Sequence, residues 1–461
     1  MSRQKLISIV ILAGILNLNF LPLEAMEWGQ KKVLSAGIAE YKFEYVNMNW
    51  WESFNDDILK GYITKALDRN NDLKIASLKV EEYNQMAKIQ FADQLPSMSV
   101  FPMLNSQKNG GTSYFGGSYM FPLLVNYEAD IFLKNRDKTK AAKKQLEASK
   151  FDERAAYIAI SSAVASTYFN IIRADKLVDI QQEIVDYKKQ ICDLTQKRNI
   201  QGLSSTADTV RSDKELLAAE TDLIEFEKNR KVLLNQLAVL IGESPSNSEE
   251  LKRIAYNDIS FNQEIPSEIP SEVIVRRPDV LKAENQVEKA GLDVKIARKE
   301  LLPTLNIGGL LMFSSSSLSN AFDWQHTLAA VGGGLIWPAF TGGKKIGNLR
   351  LKKNYYEQIL QSYHKTNLIA IQEVNDALSN LKLDDEKYQQ NLKKLQMEEK
   401  DFGYNQRKYS QGAISYLDLI QRKENLLNMN KVAISSGTDR IIDYISLYKA
   451  TGSKIPTGSN L

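Results

Sequence analysis

Cysteine and histidine are scarce in this chain of 461 residues, which has one cysteine, Cys192, and two histidines, His326 and His364. A single cysteine excludes an intramolecular disulfide bond and any metal site built from several cysteines. The histidines lie far apart and outside any HExxH spacing, so we expect neither a metal site nor a cofactor. The chain also lacks a GxSxG motif, a P-loop and a Rossmann glycine fingerprint placed after a strand, and we therefore expect no enzymatic activity.

An excess of charge of one sign is also missing. The chain has 59 basic and 56 acidic residues, and its formal net charge is +3. Nucleic-acid-binding domains usually carry a clustered basic excess, so this balance argues against a nucleic-acid partner. The chain is 43% hydrophobic and 25% charged, which is typical of a globular protein and not of a disordered one.

Long hydrophobic runs are absent except at the N-terminus. Arg3 and Lys5 precede an apolar run of 13 residues, Leu6–Leu18, which is too short for a transmembrane helix. A small-residue cleavage site follows at Ala25, so residues 1–25 are predicted to be a secretory signal peptide; an uncleaved N-terminal anchor is the alternative. No cysteine follows the predicted cleavage site closely, so we expect no lipid anchor there. No other stretch approaches 18 apolar residues, and a membrane crossing would therefore require β-strands.

The most informative feature present is an internal duplication. Three segments recur in the same order: Gln94–Ser97 as Leu301–Thr304, Asp130–Phe132 as Pro338–Phe340, and Gln201-Gly202 with Asp208 and Leu216-Leu217 as Gln411-Gly412 with Asp418 and Leu426-Leu427. The offsets between matching positions are 207, 208 and 210 residues. The chain is therefore predicted to be two tandem copies of one unit, which is too long for a solenoid repeat.

The duplication also suggests a division of the chain. We predict a signal peptide at 1–25, an N-terminal periplasmic segment at 26–55, a first copy at 56–250, a linker at 251–276, a second copy at 277–452 and a tail at 453–461. Each copy begins with a helix, continues into a β-hairpin and ends in two long helices. The predicted helices are Asp56–Gln94, Lys138–Lys197 and Ala207–Leu240 in the first copy, and Arg277–Leu301, Lys344–Tyr409 and Ser415–Ala450 in the second.

The long helices carry heptad spacing. Examples are Ile180, Ile184, Tyr187, Ile191 and Leu194 in the first copy and Ile420, Leu427, Ile434, Ile441 and Tyr448 in the second. Such spacing marks a coiled-coil seam. A helix of about 60 residues is about 90 Å long at 1.5 Å per residue. Since this length far exceeds the diameter of a globular domain, the helices must pack side by side as rods.

The segments between the helices are predicted to be β-hairpins, at about 97–130 and about 304–340. Ser97–Ser106 and Gly117–Asp130 flank a turn signal at Gln107–Gly111, and Leu305–Ser314 and Thr327–Phe340 flank a second loop. Strands of about ten residues span a bilayer when tilted.

Four strands cannot close a barrel by themselves, and an open sheet edge inside lipid is forbidden. Three chains would supply twelve strands, an even number within the range of outer-membrane barrels. A soluble periplasmic coiled-coil scaffold is the alternative that the heptads alone would allow.

Several motifs together resemble one known family. They are Trp50-Trp51-Glu52-Ser53-Phe54, Arg276-Arg277-Pro278-Asp279, Trp337-Pro338-Ala339-Phe340, Tyr409-Ser410-Gln411-Gly412 with Tyr416-Leu417-Asp418, and Leu447-Tyr448-Lys449-Ala450-Thr451-Gly452. The chain resembles the TolC-like outer-membrane efflux channels over essentially all of its mature length, and in particular the branch of multidrug channel lipoproteins. Many members of that branch carry a lipidated cysteine after the signal, and this chain has none.

The resemblance implies an α+β fold, in which a trimeric twelve-stranded transmembrane β-barrel continues into a long α-helical coiled-coil barrel in the periplasm. It implies a passive exit duct for small molecules in the outer membrane of a Gram-negative bacterium. The expected partners are two further copies of the chain, outer-membrane lipid, a periplasmic adaptor and an inner-membrane pump. The outer-membrane channel of a type I protein secretion system is the rival function with the same fold.

The Arg276-Arg277-Pro278-Asp279 motif is interpreted as structural. Pro278 fits the first position of a helix, where its missing N–H has no cost. Asp279 places a negative charge beside the positive end of that helix. We expect Arg276 and Arg277 to pair with acidic residues that the sequence does not identify.

The far ends of the long helices are the predicted functional site. Gly202 and Gly412 are expected to form the turns, and the resemblance assigns these turns, with Asp208 and Tyr409, to contact with the adaptor. It also assigns Asp418 and Gln421 to the pore aperture, where three Asp418 carboxylates would repel one another and raise their pKa. The alternative for Asp418 is an ordinary exposed helix residue. Lys197, Arg198, Arg211, Arg407 and Lys408 are candidates for salt bridges that hold the tunnel closed.

Overall fold

The computed structural model of the chain describes residues 50–108, 115–261, 265–317, 320 and 322–452. The predicted signal peptide, most of the segment 26–55, the end of the turn at 107–111 and the tail at 453–461 lie outside these residues. The first described element is a short 3₁₀ helix at Trp50–Phe54.

The two copies have long helices of the same length. Helices α3 (Lys134–Ile200) and α7 (Lys344–Ser410) each have 67 residues. Helices α4 (Thr206–Leu240) and α8 (Tyr416–Ala450) each have 35 residues. Both pairs begin 210 residues apart, which is the third offset seen in the sequence. We refer to α3–α4 as the first helical hairpin and to α7–α8 as the second.

The prediction of one continuous helix at Asp56–Gln94 is wrong. The chain forms two helices there, α1 (Asp57–Arg69) and α2 (Asn71–Ala92). Asn70 between them has an extended backbone. Its side chain accepts hydrogen bonds from the backbone N–H groups of Asp72 and Leu73 at 2.9 and 3.2 Å. Asn70 therefore ends one helix and caps the next, as short polar side chains readily do. In the second copy, α5 (Ser271–Val275) precedes α6 (Pro278–Lys299).

The strands form one antiparallel sheet in the order β1/β2–β3–β4–β5. Their bounds are β1 Ser97–Val100, β2 Met103–Lys108, β3 Phe115–Ala129, β4 Thr304–Ser315 and β5 Thr327–Ile336. The predicted strand Ser97–Ser106 is interrupted at Phe101 and Pro102, but β1 and β2 keep one register along β3. Proline has no N–H to donate to the ladder, which accounts for the interruption. The sheet thus has four strand positions, and β5 ends at Ile336, ahead of Pro338 and earlier than the predicted Phe340.

The chain divides into two compact units, each of which draws on both copies. One unit contains the sheet, with Lys79–Ser149 and Ala283–Tyr363. The other contains residues 50–78, Lys150–Lys282 and residues 364–452, with a large apolar core around Trp50, Tyr168 and Tyr444. The predicted linker at 251–276 contributes partly buried side chains that pack against this core.

One described helix, α3, contains a stretch long and apolar enough to cross a membrane by length and composition. Most of that stretch is buried within the chain, as in the core helix of a soluble unit. The sequence analysis, which looked for continuous apolar runs, did not single out this stretch.

Candidate functional site

The two turns that join the long helices share one backbone geometry. In the first, Gly202 has a φ of 74°, and Leu203 N–H donates to the carbonyl of Arg198 at 2.8 Å. In the second, Gly412 has a φ of 72°, and Ala413 N–H donates to the carbonyl of Lys408 at 2.8 Å. This pattern is a Schellman motif, which requires a left-handed residue after the helix and so favours glycine.

Each turn leads into a helix that begins with a capping box. Ser205 and Asp208 form the first box, and Ser415 and Asp418 form the second. The Asp418 carboxylate accepts from the Ser415 hydroxyl at 2.7 Å and from the Ser415 N–H at 3.1 Å. The hydrogen bond from the serine hydroxyl lowers the pKa of both aspartates, and the backbone N–H bond adds to this effect. Both carboxylates therefore stabilise their helix ends by ordinary N-terminal capping.

The residues predicted for the pore aperture and the adaptor contact lie on exposed positions around these turns. Asp418 and Gln421 are one turn apart on α8, and the Gln421 amide donates to Glu424 at 3.3 Å. The ring of Tyr409 contacts that of Tyr416, with 5.7 Å between centroids. The structure brings Asp208 to the first turn, where it matches Asp418. The assignment of Asp418 and Gln421 to a pore aperture stays a prediction. So does the assignment of the turns, with Asp208 and Tyr409, to an adaptor surface.

The ion pairs that join the two helical hairpins were not found by sequence reasoning. Lys188 of α3 is 7% exposed, and its ammonium contacts Glu215 of α4 at 2.9 Å and Glu424 of α8 at 2.8 Å. Burial lowers the pKa of Lys188, but the hydrogen bonds to Glu424 and Glu215 outweigh it and leave the pKa raised. Glu215 belongs to the same hairpin as Lys188, whereas Glu424 belongs to the other. Lys188 therefore bridges the two.

Two further contacts reinforce this junction. Lys423 of α8 pairs with Glu183 of α3 at 3.1 Å, and the Tyr416 hydroxyl donates to Gln190 at 2.7 Å. The ion pairs between the hairpins thus lie further from the turns than the basic residues that the sequence suggested for such pairs. Lys188 directly follows the heptad residue Tyr187, and charges that flank a heptad seam commonly pair across it. The position of Lys188 beside the heptad seam could therefore have identified it as a candidate for an ion pair between helices.

The Arg276-Arg277-Pro278-Asp279 motif begins α6 at Pro278, as predicted. Arg277 is buried and donates to both carboxylate oxygens of Asp279, at 3.0 and 2.7 Å, and to Glu373 of α7. A fourth bond, of 2.7 Å, runs to the backbone carbonyl of Ala450, the last residue of α8. Burial lowers the pKa of Arg277, but these carboxylates outweigh it and raise the pKa. Arg277 therefore joins three helices.

Two other motifs that carried the family resemblance meet at the same place. Trp50 stacks on Tyr448, with ring centroids 5.2 Å apart. Gly452 follows α8 with a φ of 66°, and a Cβ there would lie 3.5 Å from Pro278. The N-terminal tryptophans, the arginine motif and the end of the last helix are therefore parts of one packed cluster.

A four-position antiparallel sheet with tandem pairs of 67- and 35-residue helices defines the class of TolC-like channels. The structure matches the crystal structure of the CmeC outer membrane channel of Campylobacter jejuni with a TM-score of 0.81. That match covers 90% of this chain and 91% of CmeC at 23% identity.

The profile of the outer membrane efflux protein family matches residues 62–243 and 269–453, and the chain belongs to this family. The toluene efflux pump outer membrane protein TtgC of Pseudomonas putida is 26% identical over 87% of this chain and 84% of TtgC. The cation efflux system protein CusC of Escherichia coli is 25% identical over 90% of each chain.

The comparisons confirm the TolC-like resemblance, the α+β fold, the role in outer-membrane efflux and the outer-membrane location with a periplasmic extension. Family members are channel proteins and not enzymes. They serve tripartite pumps, which implies an adaptor and an inner-membrane pump as partners.

Proposed function

We propose that this protein is a homotrimeric, passive exit duct for small molecules in the outer membrane. The observation that carries the proposal is the unsealed sheet. In the part of the chain that the structure describes, β5 pairs with β4 alone, and β1 and β2 pair with β3 alone. Both outer strands expose apolar side chains, with Leu104 75% exposed and Val331 85% exposed. Such edges cannot stand open in lipid, and three chains would close them into twelve strand positions.

The long helix of the second copy supports the same assembly. Apolar side chains are exposed along its length: Ile346, Leu351, Tyr355, Leu368, Ile369, Ile371, Leu383, Met397, Tyr404 and Tyr409. A soluble monomeric scaffold would rarely expose so many large apolar residues along one helix. Neighbouring subunits would cover them.

The turns of the helical hairpins are proposed as the periplasmic end of the duct. Three copies of Asp418, with Gln421 one turn further on, would form a ring that favours cations and repels anions. Gly202, Asp208, Tyr409 and Gly412 are exposed and would face the adaptor. The duct would catalyse no reaction and would need no cofactor, since the inner-membrane pump supplies the energy.

Small molecules are the proposed cargo. By their names, TtgC serves a toluene efflux pump and CusC serves a cation efflux system, and both kinds of cargo are small. Deleting the gene tests this assignment against polypeptide secretion. We expect cells to accumulate toxic small compounds several-fold and to secrete their usual polypeptides. Loss of a secreted polypeptide with unchanged accumulation would contradict the proposal.

A further inference from the structure

Both of the longest helices begin with a concentration of positive charge. The first eleven residues of α3, Lys134–Lys144, include six basic residues and one acidic residue. The first ten residues of α7, Lys344–Lys353, include five basic residues and no acidic one. Each segment therefore has a net charge of +5, whereas the whole chain has a formal net charge of +3. The near balance of charge over the chain conceals this local excess.

Helix stability does not account for these cations, because the start of a helix is its positive end and favours acidic side chains. Helices α4 and α8 follow that preference with Asp208 and Asp418, but α7 has no acidic residue in its first turn. In α3 the Asp130 carboxylate accepts from the backbone N–H groups of Asn135 and Arg136 at 3.0 and 2.8 Å. Since these N–H groups are already bonded, the positive charge available there is that of the side chains.

Most of the basic side chains in these segments are not neutralised within the subunit. Lys134 is an exception, since it pairs with Glu128 at 2.6 Å. We define the basic collar as six exposed cations: Arg136, Lys140, Lys143, Lys344, Arg350 and Lys353. Among the residues that the structure describes, Lys140 has a carboxylate of Asp137 at 3.9 Å, and the other five form no ion pair. The three members on α3 are spaced i, i+4 and i+7, so they share one face of the helix.

The two halves of the basic collar lie at the same end of the sheet. β3 and β5 are both antiparallel to β4, so they run in the same direction and lead into α3 and α7 at one end. Lys299, at the end of α6, donates to Asp137 of α3 at 2.6 Å, and Lys345 of α7 donates to the carbonyl of Glu300. Because the long helices extend into the periplasm, this end of the sheet faces the inner leaflet of the outer membrane. This placement rests on the duct proposed above, in which the sheet spans the membrane.

Exposed apolar side chains lie between the sheet and the basic collar. They are Ile131, Phe132, Leu133, Trp337 and Phe340. Leu133 has a φ of 58°, a backbone conformation that is unfavourable for a residue with a Cβ, whereas the second copy has Gly342 and Gly343 with positive φ at its junction. Packing within the subunit does not account for an exposed leucine in that conformation. Apolar side chains next to basic ones are typical of a surface at a membrane interface.

The two faces of the sheet differ at this end. Leu305 pairs with Leu335 on one face, and Glu128 pairs with Asn306 on the other. The apolar face is the one suited to lipid, and the polar face is the one suited to water. Trp337 lies two residues beyond Leu335, and its indole N–H donates to the carbonyl of Leu301 at 3.4 Å. Tryptophan with a bonded N–H and an exposed ring is common where membrane meets water, so the junction fits that level.

We propose that the basic collar binds the phosphate groups of anionic phospholipids in the inner leaflet of the outer membrane. Side chains on a helix point back toward its N-terminus, so the collar side chains of α3 and α7 point toward the membrane. Lys143 and Lys353 are nine residues from the start of their helices, about 14 Å along the axis. Electrostatic attraction to anionic lipid extends about 8–10 Å at physiological salt, and the long side chains cover the remaining distance.

Spin-labelled lipids test this binding with the full-length protein, reconstituted in phosphatidylcholine bilayers. A trace of spin-labelled phosphatidylglycerol is compared with a trace of spin-labelled phosphatidylcholine, and the immobilised fraction of each gives its association with the protein. We expect phosphatidylglycerol to associate at least about three-fold more strongly at low salt. Because salt screens exposed charges, the ratio should fall toward one at high salt.

Two variants with the same change of charge locate the binding. The collar variant replaces three cations of α3: Arg136→Gln, Lys140→Gln and Lys143→Gln. The control variant replaces three exposed lysines of α7 that lie at least about 30 Å from its start: Lys365→Gln, Lys393→Gln and Lys394→Gln. The collar variant should lower the preference for phosphatidylglycerol by about two-fold or more, and the control variant should keep it.

Equal association of the two lipids, or an equal loss in both variants, would overturn the proposal. A collar variant that changed ion selectivity but kept the lipid preference would also overturn it, because the cations would then line the passage. Each sample is also sized in detergent and recorded in a phosphatidylcholine bilayer. Conducting trimers without a lipid preference would overturn the collar alone, whereas single chains that do not conduct would overturn the proposed duct and the collar with it.

Discussion

The Arg277 guanidinium donates to the backbone carbonyl of Ala450 at 2.7 Å and so connects the start of α6 to the end of α8. The last carbonyls of a helix have no partner within the helix, and a cation beside them also favours the negative end of the helix dipole. The arginine motif is therefore both the beginning of one helix and the cap of another. The sequence suggested only the first of these roles.

Removing this guanidinium should destabilise the subunit. Arg277→Ala leaves the Ala450 carbonyl without its hydrogen-bond donor. It also removes the cation that Asp279 and Glu373 share. Since both carboxylates are partly exposed, we expect a loss of about 2–4 kcal/mol, measured by denaturant unfolding of the reduced, detergent-solubilised protein. Arg277→Lys keeps the positive charge but not the forked geometry of the guanidinium. Its stability should therefore lie between that of Arg277→Ala and that of the unaltered protein. Equal stability of Arg277→Ala and the unaltered protein would contradict this role.

Asp418 and Asp208 form a matched pair that separates capping from conduction. Asp418→Asn and Asp208→Asn remove the same negative charge from equivalent helix N-termini but keep an oxygen that can accept the capping bonds, so both should lower the melting temperature slightly and by similar amounts. Only Asp418→Asn should reduce the preference for cations over anions, by about two-fold or more in a planar bilayer. If both variants kept the original ion preference, Asp418 would be an exposed capping residue and nothing more.

The Lys188 bridge predicts a second matched comparison. Glu424→Gln removes the charged partner of Lys188 on the second helical hairpin, whereas Glu215→Gln removes its charged partner within the first hairpin. Each variant leaves Lys188 with one carboxylate, so the cost of a buried unpaired charge is avoided in both. If the bridge holds the periplasmic end closed, single-channel conductance should rise in Glu424→Gln and not in Glu215→Gln. A rise in both, or in neither, would show that the bridge does not control opening.

Asp443 of α8 should make stability depend on pH. Burial and the hydrogen-bonded carboxyl of Asp384, with Asp439 nearby, raise the pKa of Asp443 to about 7, while Lys387 acts in the opposite direction. An acid whose pKa is higher in the folded state binds more protons when folded, so stability falls as pH rises from about 4 to about 7. Asp443→Asn should therefore raise the melting temperature at pH 8 and flatten its dependence on pH. Below pH 4 the variant and the original should melt alike.

The regular elements could be predicted because their signals are local. Heptad spacing and the two glycine turns placed the long helices within a few residues of their observed ends, and the duplication cross-checked each pair. The break at Asn70 was missed because the apolar pattern continues through it, although asparagine is a common cap. The interruption of the first strand at Pro102 could have been expected from the missing N–H.

The contacts between distant segments could not be predicted in the same way. Nothing local indicates that Arg277 reaches Ala450, that Lys188 reaches Glu424, or that Asp443 lies beside Asp384. These pairs depend on the rotation of each long helix about its axis, which a heptad pattern fixes only to the width of its apolar stripe. The motifs near Trp50, Arg277 and Tyr448 were recognised separately, and only the fold shows that they pack together.

The central claim is that several copies of this chain enclose a water-filled passage through the outer membrane. Recording purified protein in a planar lipid bilayer measures this directly. Discrete, reproducible steps of ion current, carried by protein that has the mass of three mature chains in the same detergent, are the predicted result. A bilayer that stays insulating after insertion of such protein, or steps produced by single chains, would contradict the account.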